Sequence, residues 1–394
     1  MKKYLITFIQ IVLFGVLLLS CNSKYEVKNE HAINTPTINL KEATINVYIE
    51  NSGSMDGYML PESEFKNDLY SYISAISNVV KQTNLNYINS VPRKINKEPE
   101  TFFANLNPDS FKAEGLDRSH SEIVNMFKEM LDCMGTRSIS IFASDCILDV
   151  KKGEDAKKYF ENRRTTLRDL IVRYLNKNKD FSIEIFSSES QFNGYLYPYQ
   201  SKPIPFIGKR PYYIWVFGPK DLIGALNLKV SPYESFRTGG IKNSAAFADC
   251  GQLPLTLSLK GKEGNSIMIH GKKKEFDILV NMSTSLLSDK QITDNGSYTY
   301  ADAKAFVDAV GKIADKQSAY THYMHIKFNN ASKPIKQIIT IPMNNEPRWA
   351  ESLNDDSIGV NTKKTYGIKY LIYAVSDAYK NASPAQIQFV INKK

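Results

Sequence analysis

A strand–helix alternation running from residue 44 to about residue 230 constrains this chain more than any other feature. Thr44-Ile45-Asn46-Val47-Tyr48-Ile49 has the composition of a strand, and Phe65, Leu69, Ile73, Ile76 and Val80 then recur at helical intervals. Residues 85–88 suggest a second strand, and Thr101-Phe102-Phe103 a short third. A helix opening near Ser121 would bury Ile123, Phe127, Met130 and Leu131. The apolar run at 139–143 is a strand, followed by a helix over about 156–177 with Leu167, Leu170, Ile171, Tyr174 and Leu175 on its inner face. Residues 181–186 and 212–217 add two more strands. Strands separated by helices need crossover connections, so the expected fold is α/β, with a mainly parallel, doubly wound sheet covered by helices on both faces.

Beyond about residue 230 the pattern changes. Residues 255–259, 266–270, 275–282, 320–328, 335–341 and 387–391 are strand-like, several of them alternating between polar and apolar. Two helices are expected among them, one over about 301–313. The other carries Ile368, Leu371, Ile372, Val375 and Tyr379 on one face. This predicts a second, antiparallel-rich domain over 231–394, a β-sandwich or an α+β unit. A chain of 394 residues also exceeds what one hydrophobic core usually serves.

The first strand runs directly into Glu50-Asn51-Ser52-Gly53-Ser54-Met55. Alternate residues of an extended segment point the same way, so Glu50, Ser52 and Ser54 can converge. Carboxylate and hydroxyl oxygens suit a hard divalent cation. The 139–143 strand ends in Ser144-Asp145, and Ser121-Glu122-Ile123 opens the preceding helix. Each piece also has a plain structural reading: Ser121 as a helix N-cap, Asp145 as a turn former, Glu50 as a solvated strand-end charge.

Taken together, these three segments resemble the von Willebrand factor type A (vWA) domain. Its metal loop reads Asp-x-Ser-x-Ser after the first strand, with a Thr and a strand-end Asp further along. Glu50 stands where that pattern has Asp, and Ser121 where it has Thr. The resemblance covers about residues 43–230. It implies a site for Mg2+ or Mn2+ in which Ser52, Ser54 and Ser121 are direct ligands, while Glu50 and Asp145 act through water. It further implies that the metal leaves one position for an acidic group of a protein or glycan partner. Asp56, just beyond the loop, would either join the ligands or cap the turn.

The N-terminus bears on location. Lys2 and Lys3 precede an apolar stretch over residues 5–19, too short for an ordinary membrane span. Leu18-Leu19-Ser20-Cys21 is similar to a bacterial lipoprotein signal, which implies removal of residues 1–20 and lipidation of Cys21. Each acyl methylene contributes about 0.8 kcal/mol of membrane affinity. The expectation is a body anchored in the cell envelope, at the outer membrane, with the side it faces left open. Residues 21–42 are polar and aperiodic and suggest a tether.

The formal charge is +9, but the basic residues are scattered, which argues against nucleic acid as a partner. Cys133, Cys146 and Cys250 are too few for a disulfide framework. Cys133 and Cys146 are expected at opposite rims of the sheet and therefore unbonded. Between two strands, residues 191–210 carry Tyr195, Tyr197 and Tyr199 among prolines. This segment is a partner-binding surface or a hairpin packed over its own domain. A metal-free envelope scaffold is the alternative to metal-dependent binding. A serine hydrolase using Ser52 or Ser54 would need a base, and only His120 falls near the expected rim, so enzymatic activity is not expected.

Overall fold

The structure, a computed structural model, describes residues 24–30, 38–112, 118, 121–315, 317–341 and 347–394. Residues 1–20, expected to be a lipoprotein signal, Cys21 and His120 lie outside the described residues. The first element is a strand, β1 (Lys24–Asn29), inside the span expected to be a tether. It is followed by β2 (Thr44–Glu50), α1 (Glu64–Ser77), β3 (Gln82–Ile88), β4 (Pro92–Ile95), α2 (Ile123–Asp132) and β5 (Ser138–Ser144). Then come α3 (Ala156–Lys177), β6 (Phe181–Leu196), β7 (Ile204–Pro219), α4 (Lys220–Lys229) and β8 (Asn243–Phe247).

Seven of these strands form an open sheet in the order β4-β3-β2-β5-β7-β6-β8. β2 runs parallel to both neighbours, with Ile45 opposite Thr83 on one side and Ile139 on the other. The remaining pairings are antiparallel. The sheet is therefore mixed rather than mainly parallel. The cause is local: β6 and β7 are joined directly by a hairpin, and hairpin partners are antiparallel by construction.

Alternation along β2 divides its side chains between two cores. Ile45, Val47 and Ile49 pack under α1 and α4 with Phe65, Leu69, Ile73, Ile223 and Leu226. Tyr48 packs on the other face with Phe127, Met130, Leu167 and Ile171 of α2 and α3. Local chemistry fixes the helix starts. The Ser63 hydroxyl accepts from the Lys66 N–H to open α1, and the Asp155 carboxylate accepts from the Lys158 N–H to open α3.

The later strands are β9 (Leu255–Leu259), β10 (Lys262–Gly264), β11 (Ser266–His270), β12 (Glu275–Val280), β13 (Thr299–Tyr300), β14 (Ala305–Lys312), β15 (His322–Phe328) and β16 (Ile335–Thr340). The short parallel pair β17 (Asn354–Asp355) and β18 (Thr365–Tyr366), helix α5 (Ile368–Ala378) and β19 (Gln386–Lys393) complete the chain. Two antiparallel sheets, β11-β1-β19-β16-β13 and β10-β9-β12-β15-β14, enclose a shared core that includes Val27, Leu257, Ile278, Ile326 and Phe389. Of the two expected architectures, this is the sandwich. Among the described residues no helix is long and apolar enough to cross a membrane.

Four expectations need correction. Residues 24–29 are not a tether: β1 lies between β11 and β19, with Tyr25 and Val27 buried in the sandwich. A six-residue alternation in a polar setting carries too little signal to be seen in sequence. Residues 101–103 lie in a helix (Pro99–Asn105), opened by Pro99 in its first turn, where a missing N–H costs nothing. The helix expected at 301–313 is instead a turn leading into β14, with Ala305 and Val307 facing the core and a bulge between Val307 and Ala309. Finally, the division at residue 230 does not follow the packing. β8 extends the seven-stranded sheet, and α5 places Ile368, Leu371 and Val375 against the α2–α3 face. A stripe of apolar residues reveals that a helix is buried, not which sheet buries it.

Candidate functional site

β2 and β5 are adjacent and parallel, so their carboxyl ends open onto the same rim. Glu50, the last residue of β2, has no solvent exposure, and neither has Asp145, the residue after β5. The Ser121 hydroxyl donates to Glu50 Oε1 at 2.6 Å, and the Ser144 hydroxyl donates a short bond to Oε2. Ser52 is extended and keeps the alternation of β2. The 3-10 turn Gly53–Tyr58 then folds back, leaving the Ser52 and Ser54 hydroxyls 3.0 Å apart. The Asp145 N–H donates to Met55 Sδ at 3.2 Å, and the Ile147 N–H reaches Asp145 Oδ1 at 3.4 Å. Asp145 Oδ2 is buried with no hydrogen-bond partner.

These contacts set aside the plain readings of Ser121 and Glu50 and keep part of that of Asp145. Ser121 does not cap α2. The capping position is Glu122, which makes no side-chain cap, and the Ser121 hydroxyl is committed to Glu50. Glu50 is not a solvated strand end. Asp145 does accept a turn-type bond from Ile147, but through one oxygen only. Asp56 lies outside the cluster. It pairs closely with Arg118, with Lys112 Nζ 3.8 Å from its other oxygen, while Arg118 Nη2 also donates to the Ser52 carbonyl at 2.9 Å.

Electrostatics follow from burial. Loss of water pushes the Glu50 carboxyl up to about 7, and the negative charge of Asp145 adds to the rise. The Ser121, Ser144 and Ser52 hydroxyls oppose it. Burial also raises Asp145, against the Arg210 guanidinium and the Ser54 hydroxyl, which favour its charged form. Cys146 has φ +54, a left-handed conformation uncommon for a residue with a side chain. Its N–H donates to Ser144 Oγ at 2.6 Å and its sulfur accepts from Trp215 Nε1 at 3.3 Å. Burial holds this thiol well above its ordinary pKa, which disfavours the thiolate.

The aromatic segment at 191–210 is the far half of the β6–β7 hairpin, and it closes over the Gly53–Tyr58 turn. Phe192 lies so near Gly57 that a Cβ there would come within 2.4 Å of its ring. A Cβ on Gly53 would sit 3.0 Å from the Tyr197 hydroxyl. Both glycines thus serve close approach of the hairpin. Tyr195 and Tyr197 are exposed beside this turn. Tyr199 is used in packing instead: its N–H donates to the Ile358 carbonyl at 2.9 Å and its ring stacks on Tyr366.

Sequence reasoning missed two participants. Ser144 was visible beside Asp145, and the alternation of β5 could have flagged it. Arg210 carries no local signal, because its relation to Asp145 exists only across the sheet. A cavity of about 480 Å³ lies elsewhere, between α3 and α5, where Lys369 pairs with Glu351 and Asp356 and Arg164 with Asp377. The described histidines, His270, His322 and His325, all belong to the sandwich strands.

Among the described residues no three His, Cys, Asp or Glu side chains gather closely enough to hold a metal ion. A cation at this rim would therefore depend on two carboxylates supplemented by hydroxyls. That donor set is all oxygen and suits Mg2+ or Mn2+, and the orphaned Asp145 Oδ2 is an acceptor such an ion would satisfy. Compared with known proteins, the chain matches no family model and no curated protein.

Proposed function

We propose that this chain is a vWA-like binding protein of the bacterial cell envelope, held to the outer membrane by lipid on Cys21. Its rim crevice would take Mg2+ or Mn2+ and, through the metal, an acidic group of a protein or glycan partner. The observation that carries this reading is the burial of Glu50 and Asp145 at one strand-end rim, with the Ser52, Ser54 and Ser121 hydroxyls around them. Charge balance supports it. With both carboxylates ionised and Arg210 nearby, the crevice carries one net negative charge. A divalent cation would reverse that to one positive charge, which a partner's carboxylate neutralises. Glu50, Asp145 and the three serines would hold the ion, and the ion would supply the Lewis acidity that orders the partner's oxygen. Tyr195 and Tyr197, exposed beside the loop, offer rigid aromatic area to the same partner.

The test is titration of the purified protein with MgCl2 and MnCl2, followed by calorimetry and thermal melting. Saturable heat, a rise in Tm and loss of both in Ser54→Ala are expected. Absence of heat and of any melting shift would refute the metal reading. A metal-free scaffold is favoured by one specific observation: both Glu50 oxygens already accept hydroxyl bonds. Partner capture that survives a chelator would select the scaffold.

A further inference from the structure

We infer that Arg210 is a tethered counter-cation of the crevice, neutralising Asp145 in the metal-free protein and weakening the hold on a divalent ion. The inference rests on the metal-site reading above. Arg210 lies on β7 opposite Ser190 of β6, and three residues further along β7 Tyr213 pairs with Ser144 of β5. β7 therefore carries Arg210 past the end of β5, to the rim where Asp145 leaves the strand. The next residue, Pro211, is fastened to the metal-loop turn: its carbonyl accepts the Tyr58 hydroxyl at 2.7 Å.

Arg210 is 3% exposed, and its guanidinium carbon lies 5.2 Å from the centroid of the Phe192 ring. Its Nε and Nη1 have no hydrogen-bond partner. A buried arginine cannot shed its charge, so the cost of desolvating it must be offset by a nearby negative charge. Asp145 supplies one, and its Oδ2 is the matching orphan, an acceptor without a donor. The cluster thus contains a donor pair and an acceptor that act on each other through space without a direct bond. The same positive charge that makes the empty crevice tolerable must repel an incoming ion. Even at the dielectric constant of water, a unit charge at a separation of about 6 Å changes the affinity of a divalent ion by about tenfold.

The experiment compares wild type, Arg210→Met and Arg210→Lys as purified full chains, titrated with MnCl2 at pH 8 in low salt, with Tm recorded with and without metal. Arg210→Met is expected to bind Mn2+ at least tenfold more tightly, with a lower metal-free Tm that Mn2+ restores. Arg210→Lys should stay within threefold of wild type on both readouts. Should the Met variant not fold, Arg210→Gln gives the same charge-neutral comparison. Equal or weaker Mn2+ binding by a folded neutral variant, with wild type still binding, overturns this inference alone. No Mn2+ binding by any of the proteins overturns the metal-site reading and this inference with it.

Discussion

Replacing Glu50 by Gln should make the protein more stable at alkaline pH and, on the proposed metal reading, abolish any response to Mn2+. Glu50 is fully buried and its carboxyl is raised from 4.5 to about 7, first by desolvation and then by Asp145. A raised acid binds more protons in the folded than in the unfolded state between those two values. Its contribution to stability is thus fully present below pH 4.5 and is lost as pH rises to about 7. At about 1.4 kcal/mol per pH unit, the loss is about 3 kcal/mol. Gln cannot ionise and still accepts from Ser121 or Ser144 through its carbonyl oxygen. In denaturant unfolding with chelator present, wild type and Glu50→Gln should match near pH 4.5. By pH 8.5 the variant should be more stable by about 3 kcal/mol. Equal stabilities across that range would mean that burial does not tax this carboxylate, and the reasoning from desolvation would fall. A variant that gains stability and loses its Mn2+ response has the signature of a residue kept for function.

Two further predictions concern the surroundings. Glu184 of β6 is buried, accepts from Asn227 Nδ2 at 2.8 Å through one oxygen and leaves the other unpaired. Its carboxyl is pushed up to about 8 by burial, so wild type should lose about 5 kcal/mol between pH 4.5 and 8 that Glu184→Gln retains, measured by the same pH series of unfolding curves. Gly57→Ala places a Cβ against Phe192 and should cost about 1–3 kcal/mol, lifting the hairpin from the Gly53–Tyr58 turn. Faster amide exchange over residues 191–208 would show the lifting, and unchanged exchange would argue that the hairpin does not rest there.

Short-range features were legible in the sequence because periodicity records them directly. The strands at 44–50 and 138–144, the helices at 156–177 and 368–378 and most sandwich strands all follow from where apolar residues recur. Alternation at a strand end makes Glu50, Ser52 and Ser54 candidates for one face, and the adjacency of β2 and β5 puts Glu50 and Asp145 at one rim. What the sequence concealed is of another kind. Residues 101–103 are too few to fix a period, and Pro99 opens them as a helix, whereas at 301–313 helix and strand periods both fit and pairing with β15 settles the choice. Tyr25 and Val27 gain meaning only once β11 and β19 stand on either side of them.

By itself the amino-acid order determined most of the long strands and helices, where the oxygen-bearing side chains cluster along the chain, and which face of each such element must be buried. Tertiary structure alone decided which sheet each element joins, which hydroxyl meets which carboxylate oxygen, and that Arg210 stands behind Asp145. The physical reason is range. Side-chain period and turn chemistry act over a few residues, whereas desolvation and Coulomb fields depend on distances that exist only after strands remote in sequence have paired.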